Sequence, residues 1–64
     1  MNNAVREHRE AHDLTQGDLA SHVGVTRQSI NAIERGRYDP SLELALKLAA
    51  EFDVSVEELF WLDS

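Results

Sequence analysis

Apolar positions recur along this chain at intervals of three and four residues, the period that gathers side chains on one face of a helix. Small polar residues precede most of these runs, and glycines close two of them, so the pattern predicts five helices. The first is expected from Asn3, a candidate N-cap, to about His12, with Val5, His8, Ala11 and His12 near helical spacing before Asp13 and Leu14 break it. Thr15 opens the second, with Asp18 three residues later in the acidic position of a capping box and Leu19, Ala20 and Val23 on one face. Gly24 ends it, and Val25 is placed to fill the crossing with a third helix capped by Thr26. That third helix, Arg27 to Arg35, turns Ile30 and Ile33 inward; Gln28, Asn31, Ala32 and Arg35 lie on the other side at about 100° per residue.

Gly36 stops the third helix, and a loop through Arg37, Tyr38, Asp39 and Pro40 leads to Ser41, the cap of a fourth. Leu42, Leu44, Ala45, Leu48, Ala49 and Phe52 give that helix a wide apolar face, the densest part of the expected core. Ser55 and Glu58 form a capping box for a short last helix, expected to end in Leu59, Phe60, Trp61 and Leu62. Trp61 either closes the bottom of the bundle or faces a second copy. No linker, repeat or low-complexity segment interrupts the chain, so residues 1–64 read as one all-α domain.

Composition narrows the chemistry. The 64 residues include no cysteine, so the core rests on apolar packing without disulfide or thiolate zinc, as expected of a protein in a reducing interior. No run approaches the roughly 20 apolar residues that span a bilayer, and no secretory leader opens the chain, so a cytoplasmic protein with no membrane partner is expected. There are no paired carboxylates in a plausible cleft, no nucleophile–histidine arrangement and no phosphate-cradling glycine loop, so no enzyme and no cofactor is expected. The net charge of −6 argues at first against a polyanion as partner. Its distribution reverses that inference. Residues 1–37 balance five arginines (6, 9, 27, 35 and 37) against five acids, whereas residues 38–64 set one lysine against seven acids. Three of the arginines fall between Arg27 and Arg37 beside a single acid, so one face suits a phosphate backbone.

Two short helices joined by a tight glycine turn, with apolar residues at their crossing and polar residues outside the second, describe a helix-turn-helix over about residues 15–35. A helix that enters the major groove, about 12 Å wide, must expose amides and guanidiniums. The stretch Leu14–Gly36 also closely resembles the phage-repressor and Cro type of helix-turn-helix, the XRE family. The resemblance is carried by Thr15-Gln16, Leu19-Ala20, Gly24-Val25, Thr26–Ile30 and Gly36, and the Tyr38–Ala45 continuation is similar to short stand-alone members. It implies a five-helix phage-repressor-like DNA-binding domain acting as a small transcriptional regulator, a repressor, with the helix 27–35 in the major groove. It also implies roles. Gln16 contacts a phosphate and braces the recognition helix; Arg27, Gln28 and Asn31 approach base edges; Ala32 either meets a thymine methyl or is a small surface helix former; Thr26, at the start of the helix, counts among the DNA-binding residues; Arg35 and Arg37 hold phosphates. Arg9 and Glu34 correspond to a structural ion pair between the first and third helices. The expected partner is a palindromic double-stranded operator, read by a homodimer formed through the C-terminal region.

Some positions depart from the family pattern. His8 stands where relatives usually carry leucine, and it is read as a core filler with one hydrogen bond. With His12 it has the spacing of a helical metal pair, yet no third ligand of matching register is evident, so no metal site is expected. Gly17 replaces the usual acid in the first turn of the second helix and forfeits helix propensity. The acidic excess is read as a solvated face turned away from DNA; adaptation to high salt is the competing explanation. The same fold also serves antitoxins and protein-binding adaptors. Against the antitoxin stands the lack of a disordered tail of the kind that wraps a toxin, and against the adaptor the polar face of Gln28, Asn31 and Arg35, which is poorly suited to the core of a protein interface.

Overall fold

The computed structural model describes residues 1–63, so Ser64, the last residue of the expected domain, lies outside the described residues. Five helices follow a two-residue strand in chain order: β1 (Asn2–Asn3), α1 (Val5–Ala11), α2 (Gln16–Val23), α3 (Arg27–Glu34), α4 (Leu42–Phe52) and α5 (Val56–Leu59), with β2 (Phe60–Trp61) completing the series. Helix starts follow side-chain chemistry. Thr15, Thr26, Ser41 and Ser55 each accept a hydrogen bond from the backbone N–H three residues on, which satisfies a donor that the first turn leaves free. At α2 and α5 the bond is reciprocated: Asp18 accepts from Thr15 N–H and Glu58 from Ser55 N–H. Those bonds favour the charged carboxylates and hold both groups below the ordinary carboxylate range.

The core is one cluster of thirteen buried apolar side chains, built from Val5 of α1, Leu19, Ala20 and Val23 of α2, Ile30 and Ile33 of α3, five residues of α4, then Leu59 and Phe60. Leu14, Val25 and Val54, each two or three residues beyond the end of a helix, pack against its edge. Their N–H groups reach back to the carbonyls of Arg9, Ala20 and Ala49, so each turn is hydrogen-bonded and apolar at once. Gly24 stands between α2 and Val25 with φ 77°, a left-handed conformation that glycine adopts without steric cost and that lets α3 cross α2 within three residues. Away from this junction, His22 of α2 meets Glu51 of α4 at 2.8 Å.

Four expectations need correction. Asn3 does not cap α1: Ala4 takes that position with no side-chain bond, because Asn2 and Asn3 are extended and pair antiparallel with Trp61 and Phe60. Asn3 instead accepts from Val5 N–H (3.1 Å) and donates to the Ile33 carbonyl (2.8 Å), tying the start of the chain to the end of α3. The last helix stops at Leu59, and Phe60 (φ −130°, ψ 139°) begins β2, so the bundle carries a small strand ladder. Alternation along that strand buries Phe60 and leaves Trp61 45% exposed, so Phe60 and not Trp61 closes the core. Leu42 is 72% exposed in the first turn of α4, and the buried face of that helix begins at Leu44. His8 and His12 share another site: the His8 ring stacks on Phe52 and the His12 ring meets it tilted, with centroids 5.5 and 5.3 Å away, and among the described residues no hydrogen bond reaches the His8 ring.

Candidate nucleic-acid interface

α3 is polar outside and apolar inside. Ile30 and Ile33 are fully or almost fully buried against the core, and one turn of α3 separates Gln28 from Asn31 on the outward side. Thr26 fixes where the helix begins: its Oγ accepts from Ser29 N–H at 3.2 Å and shares a further hydrogen bond with the Ser29 hydroxyl. Arg27, Gln28, Asn31 and, from the start of α2, Gln16 line one cleft of about 320 Å³. A cleft with two carboxamide arms, a third amide and a guanidinium has donors and acceptors on its walls and no carboxylate among its lining residues.

The far end of α3 is anchored by a charge network. Arg9 of α1 donates through Nε and a terminal nitrogen to the Glu34 carboxylate at 2.7 and 3.3 Å, and through its other terminal nitrogen to the Leu14 carbonyl at 2.8 Å. Gln16 donates to the same carboxylate at 3.1 Å, so α1, α2 and α3 converge on Glu34. The side chains of Arg9 and Glu34 are only 12% and 4% exposed. The hydrogen bond to Glu34 and its charge hold the Arg9 proton more tightly than usual, against the opposing effect of burial. Beyond Glu34, the Arg37 N–H returns to the Ala32 carbonyl and the Gly36 N–H to that of Ile33, with Gly36 left-handed at φ 73°. This closure swings Arg35 and Arg37 out at the end of α3, both exposed.

The sequence model of the helix-turn-helix family matches residues 5–59, which takes in all five helices. The chain belongs to the XRE-type helix-turn-helix family. Its members are DNA-binding transcriptional regulators, not enzymes. Similar proteins include an uncharacterized HTH-type transcriptional regulator of Methanocaldococcus jannaschii, 53% identical over 60 residues that cover 94% of this chain and 91% of the relative. The HTH-type regulator YgzD of Bacillus subtilis is 48% identical over 63 residues, 98% of this chain and 96% of its own. Among solved structures, the restriction-modification controller protein C.AhdI from Aeromonas hydrophila superposes with a TM-score of 0.79 at 41% identity, covering 88% of this chain and 85% of that one.

In this helix-turn-helix chain, Gln16, Arg27, Gln28 and Asn31 come together in one cleft, and Arg35 and Arg37 follow them beyond the end of α3. Ala32 is half-buried, and Thr26 is exposed with its hydroxyl engaged by the cap. Arg9 and Glu34 form the ion pair that the resemblance implied. Gly17 is exposed at the start of α2, where a methyl group would meet nothing closer than the Thr15 hydroxyl at 3.8 Å. Two further residues near α3, Asn3 and Arg6, carry no site role in the sequence pattern. Asn3 was taken for a cap, and its bond to the Ile33 carbonyl joins positions 30 residues apart, for which no local pattern exists. Arg6 precedes Arg9 by three, one helical turn, and that spacing alone puts it on the side of α1 nearest α3.

Proposed function

We propose that this chain is a sequence-specific, double-stranded DNA-binding repressor that inserts α3 into the major groove as one half of a homodimer. The observation that carries the reading is the single cleft shared by Gln16, Arg27, Gln28 and Asn31, on the outward side of a helix whose inward side is apolar and buried. Gln28 and Asn31 have the paired donor and acceptor that match the adenine edge, and Arg27 has the fork that matches guanine; each good bidentate contact is worth roughly 1–3 kcal/mol of discrimination. Ala32 offers a methyl for thymine. Thr26 sets the approach of the helix, while Gln16, Arg35 and Arg37 meet phosphates and fix register without reading sequence. Kinship with HTH-type transcriptional regulators agrees with this division of labour.

A single helix covers only a few base pairs, so useful specificity calls for two copies with reading helices about 34 Å apart. What supports a C-terminal dimer is the apolar surface: Tyr38, Leu42, Leu46, Trp61 and Leu62 are exposed, joined by Met1, and no large apolar side chain of α1–α3 is exposed to match them. Leu42 and Leu46, four residues apart on one side of α4, and Trp61 with Leu62 at the end of the chain are the apolar side chains that a second copy would cover. Repression follows from occupancy, since a dimer seated on a promoter excludes other proteins from the same groove. Selection from a random duplex pool tests the reading, with a palindromic consensus of two half-sites one DNA turn apart as the expected result. Failure to enrich any sequence at several salt concentrations would overturn it in favour of a protein-binding adaptor.

A further inference from the structure

A second cleft, of about 280 Å³, lies between α1 and α3 and is lined by Arg6, Arg9, Gln16, Asn31, Glu34 and Arg35. It shares Gln16 and Asn31 with the reading cleft, so the two hollows adjoin along the outward side of α3. Its charge is one-sided. Glu34, the sole acid of the lining, is engaged by Arg9 at 2.7 Å, which leaves Arg6 and Arg35 as cations with no carboxylate of the cleft to answer them. Among the described residues Arg6 touches one acid elsewhere, Glu10 on its own helix, at 3.4 Å, and both side chains are more than half exposed. An exposed pair of this kind is held weakly and exchanges readily for a stronger anion.

We propose that Arg6 is a DNA-phosphate contact, so that α1 belongs to the DNA footprint. The inference rests on α3 being the reading helix: a strand whose bases meet Gln28 and Asn31 carries its phosphates past the adjoining cleft, where Arg6 from α1 and Arg35 from α3 flank it. A guanidinium there neutralises a phosphate and releases its condensed counterion, adding to affinity for every sequence alike. Glu10 competes with the phosphate for Arg6 and so tempers the contact.

The test titrates the full chain with its selected duplex and with a scrambled one across a range of salt concentrations. Arg6→Gln is expected to make the slope of log K against log salt shallower by about 0.9, with binding to both duplexes about five-fold weaker near 0.15 M salt and their ratio unchanged. Arg6→Lys, which keeps the charge, restores the slope, and Glu10→Gln tightens binding to both duplexes. Circular dichroism and a thermal melt establish that the variants are folded. An unaltered slope in folded Arg6→Gln overturns the assignment while leaving the α3 reading intact. Absence of duplex binding by the unmutated chain overturns both.

Discussion

Asp53 ends α4 in the left-handed conformation, φ 56°, which Gly24 and Gly36 supply at the ends of α2 and α3. Asp13, also at φ 56°, does the same after α1. For a residue with a side chain this region costs about 1–2 kcal/mol, less for aspartate than for most, and a carboxylate at a helix C-terminus also faces the negative end of the dipole. Replacing Asp53 by glycine removes both penalties and keeps the N–H of Val54 bonded to Ala49. Asp53→Gly is therefore expected to raise unfolding stability by about 1 kcal/mol, read as a higher denaturant midpoint at unchanged m-value. A lower midpoint contradicts this account of the α4 terminus. The same residues explain what a sequence discloses at this scale. Gly24 and Gly36 announce their turns because glycine is the residue that favours such backbone, whereas Asp53 in an acidic segment looks like any solvated carboxylate.

At the scale of elements, α3 is held from three directions. Ile30 and Ile33 fix it to the core, Arg9 and Gln16 grip Glu34, and Asn3 bonds the Ile33 carbonyl, so its outward amides are presented by a helix with little freedom to tilt. Glu34 is the shared node. Glu34→Ala leaves the nearly buried Arg9 without its counter-charge, and a loss of about 3–5 kcal/mol is expected in chemical denaturation. The folded fraction of that variant should keep its preference among sequences. Undiminished stability, or altered preference in the folded fraction, contradicts the structural role. The caps and the α2–α3 crossing were legible because local hydrogen bonding and a 3.6-residue period determine them, and the Arg9–Glu34 pair was legible through family resemblance alone. The β1–β2 ladder was not, since two-residue strands are too short to show a period and Leu59-Phe60-Trp61-Leu62 suits a helix equally well. Leu42 misled for a related reason: a leucine in the first turn of an amphipathic helix fits the apolar spacing whether or not anything covers it.

Across the whole molecule, charge and apolar surface divide in the same place. Residues 1–37 are balanced and supply the polar cleft, while residues 38–64 hold the entire −6 and, Met1 apart, all of the exposed large apolar side chains. The charge division was visible in the sequence by position, and it correctly outweighed the net charge as a guide to the partner. The exposed apolar surface was legible in part: the helical period already placed Leu44 on the apolar face and left Leu46 off it, whereas the exposure of Leu42 and Trp61 follows from where α4 begins to meet the core and from the strand that replaces the end of the last helix. No helix among the described residues is long and apolar enough to cross a membrane. The central claim is that α3 reads bases with Gln28 and Asn31, and the most direct measurement compares Gln28→Ala/Asn31→Ala with the unmutated chain on the selected operator and on a scrambled duplex. The expected result is a folded double variant whose operator-to-scrambled affinity ratio collapses by tenfold or more, in line with losing roughly 1–3 kcal/mol per contact, while its salt slope stays the same. A folded double variant that discriminates as well as the original would contradict the assignment of α3 as the reading surface.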